Sequence, residues 1–353
     1  MHAMTKKNRL GSYLRIPYTL SISFLLFSPF SIFSEEGRAD ISYSREKLHI
    51  LPEVFLREQD PLERIIFLHI PKTAGTNIDV IANSISQKEG KFHYQRLSVP
   101  RVSGRSPNLI TSDWTGGLKQ LENNPEILAQ ITDSFFLTGH FPYGLHLHFA
   151  KPCKYITLVR HPLERELSSV NFDYQRGYID THESQSYLVE RMIDNPQVRM
   201  IAGVEYMKGV CTEKTLKKAK ENIEQDFILA APSEDVDSFI QILASMQKWG
   251  HLAYAPMQIT GKKVIGKADS FLIDELMEKH QWDLQLYEWV KVRWKLWKDQ
   301  AILMTKKLSA DEKVLTVMPD YMTTHQTLLL TVFAINSYNQ QHSNDGLLEN
   351  QQK

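Results

Sequence analysis

The sequence predicts an α/β protein in three layers: a mostly parallel central sheet between helices, with a helical C-terminal extension. Three observations carry that expectation. Short apolar runs with β-branched and aromatic content recur along the chain, as buried strands do. Amphipathic helical segments separate them, as crossover connections between parallel strands require. The composition, 353 residues with 42% hydrophobic and 23% charged, is that of an ordinary globular protein with ample material for a core.

The first strand is expected at 64–70 (RIIFLHI), ended by Pro71. A helix follows over 76–87, with Ile78, Ile81 and Ile85 at helical spacing. Further buried strands read at 134–139 (SFFLTG), 154–160 (KYITLVR) and 226–231 (DFILAA). The Lys- and Glu-rich stretch 212–225 is a solvated helix that buries Leu216, Ala219 and Ile223. Helices are also expected over 234–249, 269–279 and a Trp-rich run from 283 to about 307. Residues 327–335 are apolar but too short to span a bilayer, and 338–353 are polar.

The organisation expected from this reading is a segment 1–34, a linker 35–63, a catalytic-sized domain 64–300, and a helical extension 301–353 with a polar tail. Lys6, Lys7, Arg9 and Arg15 precede an apolar and hydroxylic run at 16–33, the grammar of a membrane anchor or signal peptide. Membrane attachment through 16–33 is therefore expected. The alternative is a cytoplasmic, bacterial protein with a soluble extension, toward which the absence of any Asn-x-Ser/Thr site leans. Lys plus Arg (41) equals Asp plus Glu (41), which speaks against a general nucleic-acid binder. Cys153 and Cys211 form no CxxC pair and are expected as free thiols.

The junction of the first strand and its helix reads His69-Ile70-Pro71-Lys72-Thr73-Ala74-Gly75-Thr76-Asn77. A loop there can aim several backbone N–H groups at one anion, helped by the positive end of the helix. Gly75 allows close backbone approach, Thr73 and Thr76 offer hydroxyl donors, and Lys72 supplies a cation at the tip. The order is not that of the ATP-binding loop, because the lysine stands before the glycine instead of after it. A second signature, Leu158-Val159-Arg160-His161-Pro162-Leu163-Glu164-Arg165-Glu166-Leu167-Ser168, sets Arg160 at a strand's carboxyl end. Pro162 then opens a helix in the position proline favours, and Ser168 falls on its second turn, able to face the same ligand.

Pro-Lys-Thr-Ala-Gly-Thr after a hydrophobic strand resembles the 5′-phosphosulfate loop of sulfotransferases. It is most similar to the carbohydrate O-sulfotransferases that include the heparan sulfate 2-O- and 6-O-enzymes. In that family the residues matching Arg160 and Ser168 grip the 3′-phosphate of the donor, although the usual Arg-Asp-Pro reads Arg160-His161-Pro162 here. Thr138-Gly139-His140-Phe141 resembles the segment that carries the catalytic histidine of the 2-O-enzymes. The segments 195–203 (NPQVRMIAG) and 283–287 (DLQLY) also match in order, so the resemblance runs from Arg64 to Lys295.

The resemblance implies a P-loop-like fold and 3′-phosphoadenosine 5′-phosphosulfate (PAPS) as sulfuryl donor. It implies donor binding by Lys72, Thr73, Ala74, Gly75, Thr76, Asn77, Arg160 and Ser168. Lys72 and His140 would be catalytic, the latter as general base in an in-line displacement onto an acceptor hydroxyl of a glycan or other molecule. His140, His146 and His148 also have a metal-ligand spacing, but no carboxylate or thiolate cluster accompanies them and no metal is expected. The stretch 90–112 holds Lys91, Arg96, Arg101 and Arg105 and no acid, a basic loop suited to an anionic saccharide. A kinase-like enzyme and a non-catalytic nucleotide-binding relative are the alternatives. The sequence leaves the oligomeric state open.

Overall fold

A computed structural model of the chain describes residues 49–51, 53–56, 64–89, 94–97, 131, 134–149, 152–180, 193–255, 270–305 and 314–317. They lie in one compact unit, Ser44–Lys353. The expected N-terminal segment 1–34, with its apolar run 16–33, lies outside the described residues, as do 327–353. Among the described residues no helix is long and apolar enough to cross a membrane.

Two short strands, β1 (His49–Leu51) and β2 (Val54–Leu56), open the described chain and are followed by β3 (Arg64–Leu68). Next come α1 (Gly75–Glu89), β4 (Tyr94–Leu97), β5 (Phe136–Gly139) and, after a single 3₁₀ turn, β6 (Cys153–Val159). Then follow α2 (Pro162–Gln175), α3 (Pro196–Ala202), α4 (Glu213–Asp226), β7 (Phe227–Pro232) and α5 (Val236–Met246). The chain continues with β8 (His251–Tyr254), α6 (Ser270–Lys279), α7 (Gln281–Ala301), β9 (Ile302–Thr305) and β10 (Val314–Val317).

The main sheet has five strands in the order β4-β5-β3-β6-β7, all parallel. All five residues of β3 are buried, and they alternate between two cores. Ile65 and Phe67 pack with Ile78, Ile81, Ala82 and Ile85 of α1 and with Phe239, Ile240 and Leu243 of α5. Ile66 and Leu68 pack with Val198 and Ile201 of α3, Leu216 and Ile223 of α4, and Leu286 and Val290 of α7. The strand therefore buries both faces under helices, which is why it reads as a continuous apolar run. This is the expected three-layer sandwich.

Three expectations need correction. The stretch 35–63 is not merely a linker: β1 pairs antiparallel with β8, and β2 with β9. The Trp-rich helix ends at Ala301, short of 307, and the described part of the extension 301–353 consists of the strands β9 and β10. Ile302 and Thr305 instead pair with Leu56 and Val54, so tertiary pairing stops the helix where its own sequence would let it run on. Within the basic stretch 90–112, Tyr94–Leu97 is the edge strand of the main sheet, not loop; the rest lies outside the described residues.

Strand order places the site. The chain leaves β3 toward β4 and β5 on one side, whereas it leaves β6 toward β7 on the other. The carboxyl ends of β3 and β6 thus form the switch-point crevice where ligands of parallel α/β sheets bind.

Candidate functional site

The loop 69–74 springs from β3 at this crevice. Its backbone is held in a costly form: Lys72 and Ala74 have φ of 69° and 66°, left-handed values that L-residues other than Asn and Asp rarely adopt. Alternation of left-handed and ordinary residues swings successive N–H groups to one side and makes an anion-binding concavity. It leads directly into the N-terminus of α1, whose first-turn amides add to the same field.

Side chains lock this turn from beneath. The Thr73 hydroxyl is buried and donates to Ile70 O at 2.8 Å, a bond that shapes the loop. Asn77 N bonds back to Ala74 O, and Thr76 lies half-buried in the first turn of α1. The His69 ring lies flat against Phe67, with centroids 5.1 Å apart, and both press on Gly75. A β-carbon on Gly75 would come within 2.8 Å of Phe67 Cζ and nearer still to the His69 ring. Gly75→Ala is therefore expected to lower stability by about 1–3 kcal/mol through overpacking beneath the loop, which thermal or urea unfolding would measure.

The Lys72 ammonium lies 4.1 Å from the centroid of the Phe172 ring on α2. Burial lowers its pKa to about 8, helped by Arg160, Arg165 and Arg176 and opposed by Asp173. Phe172 is one helical turn after Ser168, so both lie on the α2 face that meets the loop. Arg160, immediately beyond β6, donates from Nη1 to Lys72 O at 3.1 Å and from Nη2 to Glu164 at 3.4 Å. The structure thus brings Lys72, Arg160 and Phe172 together in one crevice.

A buried amide fixes the Arg160 backbone. Gln197 accepts from Arg160 N at 2.9 Å and donates to Arg160 O at 2.8 Å. Gln197 is in turn held by two helix ends that cap one another. Asn195 Oδ1 accepts from Trp282 N (2.8 Å) and Asp283 N (3.0 Å) at the start of α7. Asp283 accepts from Gln197 N (3.2 Å) and Val198 N (2.8 Å) at the start of α3. Burial pushes the Asp283 carboxyl up to about 7, against the pull of these backbone donors. The segments 195–203 and 283–287, far apart in sequence, are one structural lock behind Arg160.

His140 stands just beyond β5, which neighbours β3. Its Nδ1 lies 2.7 Å from His69 O; a carbonyl can only accept, so Nδ1 carries the proton and Nε2 keeps its lone pair. Burial, with the adjacent His69, lowers its pKa to about 3, leaving the ring neutral at physiological pH. His146 is engaged elsewhere, with Nδ1 3.0 Å from the Tyr155 hydroxyl. Cys153 and Cys211 are both free thiols.

Sequence reasoning missed four residues of this site: Asp79, Arg165, Phe172 and Gln197. An aspartate and a glutamine among buried helix positions were the available signals. Arg165 is 2% exposed, and its Nε and Nη1 have no hydrogen-bond partner among the described residues.

Fold and site together define a parallel three-layer α/β protein with a strained, cationic anion loop at its switch point. No family model matches the chain, and no curated protein matches it in sequence. Among solved structures it is similar to a crystal structure of retinol dehydratase in a complex with retinol and PAP. That likeness has a TM-score of 0.25 and 14% identity, and covers 78% of this chain and 82% of the other.

Proposed function

We propose that the protein transfers a sulfuryl group from PAPS to an acceptor hydroxyl, with a carbohydrate as the acceptor class. The observation that carries the reading is the joining of the two phosphate-type motifs, through Arg160 Nη1 on Lys72 O, at one switch-point crevice. In this reading the 5′-side of the donor lies on the loop 72–77, and Arg160 and Ser168 hold the 3′-phosphate. The donor supplies the sulfuryl group; the chain supplies alignment, charge and a proton acceptor. Lys72 neutralises charge on the bridging oxygen, and His140 Nε2 takes the acceptor's hydroxyl proton. Anionic phosphates near the site raise the proton affinity of His140, which the donor-free environment holds low. The kinase-like alternative has no observation in its favour.

Calorimetric titration with 3′-phosphoadenosine 5′-phosphate (PAP) tests the reading, and a silent titration would sink it. The pH dependence has a definite sign. An anion favours charged Lys72, whose pKa of about 8 in the free protein rises on binding. Affinity is therefore full below about pH 8 and falls as pH climbs through it, by about tenfold between pH 7 and 9. Lys72→Met should flatten that slope.

A further inference from the structure

The Lys72 ammonium rests on an aromatic face. Its Nζ lies 4.1 Å from the centroid of the Phe172 ring, and no hydrogen bond or ion pair among the described residues reaches it. The charges around it come from two elements. Arg160 stands at the end of β6, and Arg165, Asp173 and Arg176 stand on α2 or at its end. Three of those four are cations that repel the ammonium, and burial disfavours its charge further; Asp173 favours it. Arg176, the C-cap of α2, is drawn to the same ring, with its guanidinium carbon 5.3 Å from the centroid. The ring therefore offsets the repulsion on a lysine that would otherwise extend into water.

We propose that Phe172 is a positioning residue for Lys72: its ring holds the ammonium in the crevice as a cation that an anionic donor can take over. A carboxylate in that place would bind the ammonium through charge-assisted hydrogen bonds and repel the donor's phosphates. A ring face attracts the same cation through its quadrupole alone, with no net charge and no lone pair. Phosphate oxygens therefore outcompete it, and the three N–H donors of Lys72 turn to them without first breaking a hydrogen bond. The main chain cooperates, because Arg160 Nη1 on Lys72 O holds the other end of the residue. The handover from ring to donor rests on the proposed sulfuryl chemistry; the resting contact does not.

Graded fluorination of the Phe172 ring is the test, since successive fluorines drain the quadrupole and nearly keep the shape. Fluorinated phenylalanines are placed at this one position of the full chain. The Lys72 side chain is then titrated by NMR without donor, its signal assigned by its loss in Lys72→Met. The ring favours the charged form, so its weakening lowers the midpoint, which stands at about 8 in the wild-type protein. The fall expected over a series of three fluorines is about one pH unit. PAP affinity should drop about threefold across the series near pH 8 and stay unchanged near pH 6, where Lys72 is charged in every form. Phe172→Tyr keeps the ring face and should keep the wild-type midpoint, a rescue that a packing role alone would not require. A midpoint that ignores fluorination in the folded protein would overturn the proposal and leave donor binding standing. If the wild-type protein binds no PAP, the sulfotransferase reading fails, and the titration still decides whether Phe172 holds Lys72.

Discussion

Lys72→Ala is expected to slow sulfuryl transfer about a thousandfold while weakening PAP binding only about tenfold. The asymmetry follows from where the charge is needed. In the free protein the ammonium rests 4.1 Å over Phe172, half desolvated and beside three arginines. That site is poor for a cation until an anion arrives, so part of its interaction is saved for a bound, charge-shifting reactant. PAP has no sulfonate and no breaking bond, and reports only the resting contact with the 5′-phosphate. In the transition state charge builds on the bridging oxygen, and a fixed cation there is worth far more. Lys72→Arg should recover affinity without recovering rate, because a planar fork cannot occupy the point position of an ammonium. Single-turnover transfer of labelled sulfate beside PAP calorimetry separates the two effects. Equal losses in both would assign Lys72 to binding alone.

The elements that frame this lysine were legible for a physical reason. β3, β6 and β7 are buried on both faces, so their sequences read as apolar runs, and α1 and α4 bury one stripe each. The strands β1, β2, β8, β9 and β10 have only three or four residues, too few to display a period. Their partners lie far away: His49 pairs with Tyr254, and Val54 with Thr305. Nothing local announces such pairs. In the site, residue types told of an anion loop, but the left-handed φ of Lys72 and Ala74 belongs to tertiary closure. The bond from the Thr73 hydroxyl to Ile70 O was equally hidden, because a donor's target cannot be read from its presence. Asn195 and Asp283 stood in two separate matching segments, and only folding reveals that each caps the other's helix.

That reciprocal cap leads to the second large effect. Arg160→Ala is expected to weaken PAP binding about a hundredfold, the loss of roughly 3 kcal/mol from two charge-assisted hydrogen bonds to phosphate. Arg160 is aimed by its main chain as much as by its own charge, since Gln197 grips both its N–H and its carbonyl. Gln197→Leu keeps the guanidinium and removes the grip, and should weaken PAP about tenfold. The two variants differ in salt dependence. Arg160→Ala removes a phosphate-neutralising cation and should flatten the fall of affinity with salt; Gln197→Leu leaves every charge in place and should preserve it. Were Gln197→Leu to bind PAP as tightly as the wild-type protein, the lock formed by Asn195, Asp283 and Gln197 would serve folding alone. Arg160 would then be oriented by its side-chain bonds to Lys72 O and Glu164. The PAP affinity of Gln197→Leu set beside that of the wild-type protein therefore decides whether the donor's 3′-phosphate feels a pre-aimed arginine or merely a nearby one.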